Sequence, residues 1–239
     1  MKKYVLLIIV LAILVYSYVF AALIDVNKIT FKDNSLVFPD LQTIALDKYG
    51  KPVKDYNTGE YYYKYHRATN EIIKTSAIGL TQGYEDGNFK PDEVITKGEF
   101  IKLAMMLATN RNFDFSAMPK KINHWCNPYV VMGEMQNVLE VGEYNEKNLN
   151  EPITRIEMIC ILSRIQINMK GVSQYTDATL PAYTDVDTLT EEEKGLLLHA
   201  ARYELIAGMF DKDSKGEYTI RPYEYLTRAD AAVAIMRIY

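Results

Sequence analysis

The chain lacks several residue types and patterns on which common activities depend. Its 239 residues include only two cysteines and three histidines, and its net charge is −4. Neither cysteine nor histidine occurs at the spacing of a zinc site or a nucleophile motif. The absence of a basic stripe argues against a general role in nucleic-acid binding. We therefore expect no enzyme activity, no metal or other cofactor, and no nucleic-acid partner.

The two cysteines are expected to be small buried side chains. Cys160 lies beside an apolar stripe, and Cys126 directly follows the single tryptophan, Trp125. A reduced cysteine in such a position behaves as a small hydrophobic residue. A disulfide between the two stays open as an alternative, because the sequence does not give their distance.

Long apolar runs are also scarce, and the one that exists is at the start of the chain. Lys2 and Lys3 precede an uncharged run over residues 4–20, which ends at Ala21 and Ala22. This pattern predicts a signal peptide over residues 1–21, followed by an N-terminal extension over residues 22–37. An uncleaved membrane anchor is the alternative, because the run is close to the length that spans a bilayer. Either interpretation predicts an exported protein.

A short motif occurs three times. It reads Ile95-Thr-Lys-Gly-Glu99, Ile153-Thr-Arg-Ile-Glu157 and Leu226-Thr-Arg-Ala-Asp230. A threonine three residues before an acid is the spacing of a capping box, in which each side chain accepts a hydrogen bond from the other residue's backbone. We predict that helices begin directly after Thr96, Thr154 and Thr227.

An apolar stripe follows each motif. Residues four, seven, eight and eleven positions after each threonine are apolar, which is the spacing of one helix face. They are Phe100, Leu103, Ala104 and Leu107, then Met158, Ile161, Leu162 and Ile165, then Ala231, Ala234, Ile235 and Ile238. Because no single helix could bury its own stripe, the sequence predicts a repeat architecture in which the stripes meet.

A cation follows each motif threonine, namely Lys97, Arg155 and Arg228. The first turn of a helix favours an anion over a cation. Two interpretations remain open. The cation could be solvated or paired with an acid of a neighbouring motif, or it could join unpaired first-turn N–H groups in an anion site. Because the pattern occurs three times, we favour a site for a carboxylate or phosphate group.

The residues before the first motif carry a family resemblance. Residues 80–91 read Leu-Thr-Gln-Gly-Tyr-Glu-Asp-Gly-Asn-Phe-Lys-Pro and lead into the motif that ends at Glu99. This stretch resembles the S-layer homology domain, whose repeats carry a Gly-Tyr-x-Asp-Gly-x-Phe-x-Pro turn and an Ile-Thr-Arg-Ala-Glu motif. Phe38-Pro-Asp40 and Tyr183-Thr-Asp185 are similar to the family's repeat openings, and His124-Trp125 is similar to its His-Trp pair. The turns before the second and third motifs depart from the pattern.

The resemblance implies an all-α fold. It implies three helix–loop–helix repeats in a pseudo-threefold arrangement around a central three-helix bundle. We place these repeats at residues 38–112, with an insertion, at residues 113–172 and at residues 173–239. The first helix of each repeat is expected at about residues 62–78, 127–139 and 190–206, and a further capping box at Thr190 and Glu193 opens the last of these.

The resemblance also implies a function, which is non-covalent attachment to the bacterial cell wall. Such domains bind acidic secondary cell-wall polysaccharide, typically pyruvylated, in grooves between repeats. The implied location is the cell wall or the surface S-layer, with envelope or S-layer proteins as further partners. Two alternatives are an exported protein–protein interaction module and a membrane-tethered envelope protein without glycan binding.

The expected glycan-binding residues follow from the motifs. Lys97, Arg155 and Arg228 would receive the carboxylate, while Thr96, Thr154 and Thr227 hold the helix starts and Glu99, Glu157 and Asp230 lock them. Trp125, together with Gly83, Tyr84 and Asp86 of the glycine-rich turn, would form a groove wall. Further tyrosines cluster over residues 56–65 and could stack on sugars, although tyrosine more commonly serves as an amphipathic surface residue.

Overall fold

A computed structural model describes residues 38–176, 183–206 and 211–239. The predicted signal peptide and N-terminal extension lie outside the described residues. The contacts divide the chain into two compact units, the first ending at Pro91 and the second beginning at Asp92. A search of the described residues finds no helix with the length and apolar character needed to cross a membrane.

The described part of the first unit, residues 38–91, combines a small antiparallel sheet with one α-helix. Strand β1 (Gln42–Ile44) pairs with strand β2 (Tyr63–Tyr65), and the chain between them folds back on itself in two turns. Helix α1 (Thr69–Ala77) follows and buries Ile72 and Ile73 completely. Tyrosine-rich segments favour strands, because aromatic rings pack well on a pleated, half-buried surface.

The second unit is mainly helical. Its helices are α2 (Lys97–Ala108), α3 (Asn127–Met135), α4 (Arg155–Arg164), α5 (Glu191–Arg202) and α6 (Arg228–Ile238). Helix α4 continues into a π-helical turn, and a hairpin pairs β3 (Asp211–Lys212) with β4 (Tyr218–Thr219). Helix α2 contacts α3, α4 and α6, while α4 packs along α5.

The predicted helix starts are confirmed. Each motif threonine is an N-cap whose hydroxyl accepts from the N–H of the acid three residues later, and that acid accepts from the threonine N–H. Thr190 and Glu193 form the same capping box before α5. All twelve residues of the predicted apolar stripes are buried. The motif therefore sets where these helices begin and which side they bury.

The three motifs are joined by a closed ring of backbone hydrogen bonds. The ring consists of the three residues that precede the threonines. Ile95 N–H donates to the Leu226 carbonyl at 3.0 Å, Leu226 N–H to the Ile153 carbonyl at 3.1 Å, and Ile153 N–H to the Ile95 carbonyl at 3.1 Å. The three helix starts are thereby held together at one place in the second unit.

The predicted all-α fold, with three helix–loop–helix repeats in a pseudo-threefold arrangement around a central three-helix bundle, is wrong. The described residues contain two antiparallel hairpins beside six α-helices. The unit boundary after Pro91 falls between α1 and α2, inside the first predicted repeat. The helix expected from about residue 62 begins at Thr69, because Tyr63–Tyr65 pairs with β1 instead. The helix periodicity was read correctly, but the strand pairing of the tyrosine-rich segment was missed.

Candidate functional site

The start of α2, which we call the first corner, is held by hydrogen bonds from four backbone N–H groups. Glu99 N–H donates to the Thr96 hydroxyl and Phe100 N–H to the Thr96 carbonyl. The backbone N–H groups of Lys97 and Gly98 donate to carbonyl oxygens of the loop before the second motif, at 2.9 Å each. The first-turn N–H groups are therefore already used.

Lys97 lies in a double ion pair at this corner. Its Nζ is 3.1 Å from Glu151 Oε2 and 3.0 Å from Glu157 Oε1. The Lys97 side chain is only 14% exposed, whereas that of Glu151 is 59% exposed. Burial lowers the pKa of Lys97, but hydrogen bonds to Glu157 and Glu151 and their negative charges outweigh it, so the pKa of Lys97 is raised. Lys97 is thus charged, and it is shared between Glu157, which is largely covered, and Glu151, which is exposed.

The exposed Trp125 ring lies directly against Gly98. Trp125 is 52% exposed, and its ring centroid is 5.3 Å from that of His124. A Cβ on Gly98 would meet the Leu149 carbonyl oxygen at 3.1 Å, His124 at 3.4 Å and Trp125 at 3.5 Å. The glycine therefore leaves room for both rings at the start of α2, and it places an exposed aromatic surface on the residue next to Lys97.

His124 and Cys126 fix the Trp125 segment. The His124 Nε2 lies 3.1 Å from Asn150 Oδ1, and its Nδ1 accepts from Cys126 N–H at 3.2 Å. The Cys126 thiol donates to the Gly98 carbonyl at 3.2 Å, and burial raises its pKa to about 12. Cys126 and Cys160 are both buried and free, which confirms their expected role as small buried side chains.

The start of α4, the second corner, repeats the backbone pattern with a more buried cation. The N–H groups of Arg155 and Ile156 donate to the carbonyls of Glu224 and Pro222, at 2.9 Å each. Arg155 is 7% exposed, and its guanidinium pairs with the Glu224 carboxylate, which also pairs with Arg221. The first-turn N–H groups of α4 are likewise used.

The start of α6 is the third corner. Thr227 and Asp230 form its capping box, and Arg228 N–H donates to the Glu93 carbonyl at 2.8 Å. In all three corners the residue after the threonine bonds to the residue three positions before another motif's threonine. The corners are therefore built on one backbone scheme.

The backbone scheme overturns one prediction about the helix starts. We predicted anion sites that combine a cation with unpaired N–H groups of a helix start. In the first and second corners these N–H groups bond to carbonyl or threonine oxygens of the chain itself. An anion at these two corners would have to bind through side chains.

The predicted turn residues lie in the first unit, where they shape a tight loop. Tyr84 N–H donates to the Asn88 carbonyl, and Asp86 accepts from Asn88 N–H at 2.9 Å. That hydrogen bond is the main cause of a lowered pKa for Asp86. A Cβ on Gly83 would lie 2.5 Å from the Phe38 ring, so only glycine fits there. Tyr84 is 39% exposed and has Lys90 over its ring.

Two aspartates hold the turns that precede the first and third motifs, and neither was predicted to have this role. Asp40 accepts from the N–H groups of Phe89 and Lys90, and Asp185 accepts from those of Ile220 and Arg221. Both lie in the segments recognised as similar to repeat openings, and the shared aspartate was the available signal. Glu151 and Glu224, the partners of the motif cations, also had an available signal, because a glutamate lies three residues before each motif threonine, at positions 93, 151 and 224. The sequence does not show that Glu151 and Glu224 pair with the cation of another motif.

Within the described ranges, no group of histidine, cysteine, aspartate or glutamate side chains is arranged to hold a metal ion.

Comparison with known protein families gives one match. Residues 63–101 match the model of the S-layer homology domain. This segment contains β2, α1, the glycine-rich turn and the start of α2. A search of curated proteins found no match. S-layer homology domains in general attach proteins to the cell wall through its secondary polymer, and they thereby imply association with the cell surface.

Proposed function

We propose, from the S-layer homology domain that the chain carries at residues 63–101, that the protein attaches non-covalently to the cell wall by binding an acidic secondary polysaccharide. It is a binding protein and not an enzyme. The single observation that carries this proposal is the first corner, where exposed Trp125 lies against Gly98 beside the charged Lys97. An exposed aromatic ring and a charged lysine at the same helix start suit a sugar ring that bears a carboxylate.

The exposed acid at this corner makes room for a ligand carboxylate. The Lys97–Glu151 pair is exposed on the glutamate side, and such pairs contribute only about 0–1 kcal/mol. Glu157 is held more firmly, because its other oxygen accepts from Thr154 N–H at 2.7 Å. A pyruvate ketal on the polymer could therefore replace Glu151 as a partner of Lys97 while Glu157 remains in place. Burial of part of the sugar beside Trp125 would strengthen this charge-assisted contact.

The second corner offers a further contact for the same polymer. Tyr223 and Tyr225 are 55% and 56% exposed and flank Glu224, the partner of Arg155. Arg155 itself is largely covered, so a ligand there would meet the tyrosines and Arg221 first. Arg228 at the third corner, and Gly83, Tyr84 and Asp86 in the turn, belong to the same proposal as residues that contact or shape the binding surface.

Co-sedimentation with cell-wall sacculi tests the proposal. The protein without residues 1–21 is mixed with native sacculi and with sacculi stripped of secondary polymer. Wild type should sediment only with native sacculi, and Trp125→Ala should remain mostly in the supernatant. Met135→Ala is the matched control, because Met135 is 60% exposed on α3 and should not affect binding. Equal sedimentation with stripped sacculi, or equal binding by Trp125→Ala, would contradict the proposal.

A protein-binding role is the second candidate, and a specific observation favours it. Lys97 and Arg155 already have acidic partners within the chain, so these cations can serve to join the motifs without any glycan. This role predicts attachment to an envelope protein that survives Lys97→Met. Binding of wild type and Lys97→Met to polymer-free envelope extract, measured side by side, distinguishes the two. Equal binding of both proteins to this extract would support the protein-binding role, and a wild type that does not bind polymer-free extract would exclude it.

A further inference from the structure

A second exposed aromatic surface lies in the first unit, on the sheet formed by β1 and β2. Tyr61, Tyr63 and Tyr65 alternate along the chain, and alternate residues of a strand point to the same face. Ile44 lies directly opposite Tyr63 and adds to that face. These four side chains, which we call the tyrosine face, are 40–47% exposed. Each contributes a partly covered apolar surface with one side open to solvent.

The tyrosine face stands on a fixed backbone frame. Three passes of the chain are tied together, because Ala45 N–H donates to the Tyr62 carbonyl, Tyr62 N–H to the Val53 carbonyl, and Val53 N–H to the Ala45 carbonyl. Asp55 accepts from the N–H groups of the turn that follows it and from the Tyr62 hydroxyl at 2.8 Å. A surface held in this way loses little conformational freedom when it binds a ligand.

The charge around this face is opposite in sign to that of the whole chain. Residues 42–67 contain five cations and three acids, whereas the full chain has a net charge of −4. Asp47 and Asp55 are occupied as acceptors of backbone N–H groups in their own turns. Four of the cations are exposed lysines, at positions 48, 51, 54 and 64. Lys54 Nζ lies 4.5 Å from the Tyr61 ring centroid. The local charge therefore complements an anionic ligand.

We propose that the tyrosine face is a second binding site for an acidic polysaccharide, separate from the first corner. Tyrosine rings stack on the apolar faces of sugar rings, their hydroxyls bond to sugar hydroxyls, and the surrounding lysines meet the carboxylates. Most of the segment that carries the tyrosine face and its lysines, namely residues 42–62, lies outside the residues that match the family model. The identity of the ligand rests on the proposed function, whereas the site rests on the geometry of the face.

Titration of the intact protein with polysaccharide released from native sacculi tests the site. Tyr61→Ala/Tyr63→Ala/Tyr65→Ala should weaken binding at least about tenfold, because it removes the three aromatic rings on which the sugars would stack. Tyr56→Ala is the matched control, since Tyr56 is 99% exposed and lies off the face, and its affinity should equal that of wild type. A second variant, Lys54→Gln, keeps the aromatic rings and removes the cation that lies over the Tyr61 ring, so it should weaken binding and reduce its salt dependence.

The outcomes separate this inference from the proposed function. If both face variants bind as wild type while Trp125→Ala does not, the second site is overturned and the first corner stands. If the face variants lose affinity and Trp125→Ala does not, the second site stands alone. A wild type that does not bind the polymer overturns both. A wild-type dimer in sedimentation velocity that becomes monomeric in the triple tyrosine variant would also overturn the inference, because a second copy would then cover the face.

Discussion

The first and second corners share one backbone scheme but differ in what they leave exposed. At the first corner, glycine follows the cation, the cation is a lysine with one exposed partner, and a tryptophan ring lies against the helix start. At the second corner, buried Ile156 follows the cation, and Arg155 is covered and paired with Glu224. The same capping box thus supports an open aromatic surface in one place and a closed ion pair in the other.

The residue in the second helical position accounts for much of this difference. Gly98 has no side chain, so His124 and Trp125 can approach the helix start. Ile156 fills the corresponding position and is 3% exposed. Gly98 thus leaves space for the Trp125 ring at its helix start, whereas Ile156 fills the corresponding space with its own buried side chain.

The largest effect is expected from replacing Gly98 of the first corner with isoleucine, the residue at the corresponding position of the second corner. Gly98→Ile should lower the free energy of unfolding by about 2–3 kcal/mol, because an added side chain overpacks the contact with the Leu149 carbonyl and the two rings. It should also displace Trp125 and abolish sedimentation with native sacculi. Denaturant unfolding and the sacculus assay measure the two effects.

The conservative change Ile156→Val is the control for Gly98→Ile, with an expected cost of about 1 kcal/mol and unchanged sacculus binding. Retained wall binding by a folded Gly98→Ile variant would show that the Trp125 position does not matter.

The covered ion pair of the second corner should give the next largest effect. Arg155→Ala should lower the free energy of unfolding by about 2 kcal/mol, because it removes a buried side chain and leaves Glu224 with Arg221 alone. Arg155→Met retains the packed volume and should cost less. Thermal unfolding of the three proteins measures the difference. Equal stability of the alanine variant and wild type would mean that this corner is not a structural clasp.

Lys97 of the first corner should contribute less to the free energy of unfolding than Arg155 does, and its contribution should depend on pH. Lys97→Met should cost about 1 kcal/mol near neutral pH, as partly exposed pairs do. Because the pKa of Lys97 is raised in the folded protein, the stability from its charge is complete below the ordinary lysine pKa of 10.5 and is lost as the pH rises through the pKa of the folded state.

The stability difference between wild type and Lys97→Met should therefore be constant from pH 7 to about 10 and shrink above that range. Arginine side chains in general keep their charge over this pH range, so the effect of Arg155→Met on stability should not change with pH. A difference for Lys97→Met that stays constant to higher pH would contradict the charged pair.

The smallest stability effect is expected for Glu151→Gln. Its side chain is 59% exposed, so the free energy of unfolding should change by less than about 0.5 kcal/mol. Affinity for the acidic polysaccharide should rise, because Lys97 would lose the partner that the ligand has to displace. Titration with the released polymer measures this gain. A loss of affinity would indicate that Glu151 itself contacts the sugar.

The helix starts could be predicted from the sequence, because a capping box and an apolar stripe are local patterns. The three motif threonines and all twelve stripe residues are placed as expected. The strand pairing of Tyr63–Tyr65 with Gln42–Ile44 could not, because it joins segments separated by about twenty residues without an alternating polar pattern.

The candidate site was only partly predictable for the same reason. The cations were identified from the repeated motif, but their partners Glu151 and Glu224 come from other parts of the chain. The N–H groups at the starts of α2 and α4 were expected to be unpaired, and carbonyls of distant loops occupy them. A glutamate recurs three residues before each motif threonine, but the sequence does not show which motif each of these residues contacts.

The ring of bonds between Ile95, Ile153 and Leu226 has a consequence for the order of folding. Its members lie far apart in the chain, and the ring cannot close until the third motif has been synthesised. Contacts between distant residues slow folding, because the entropy of closing long loops is lost before the contacts form. The chain should therefore remain without its assembled helix starts until Leu226 has been synthesised, and a variant truncated before Leu226 should lose the native arrangement of all three motifs together.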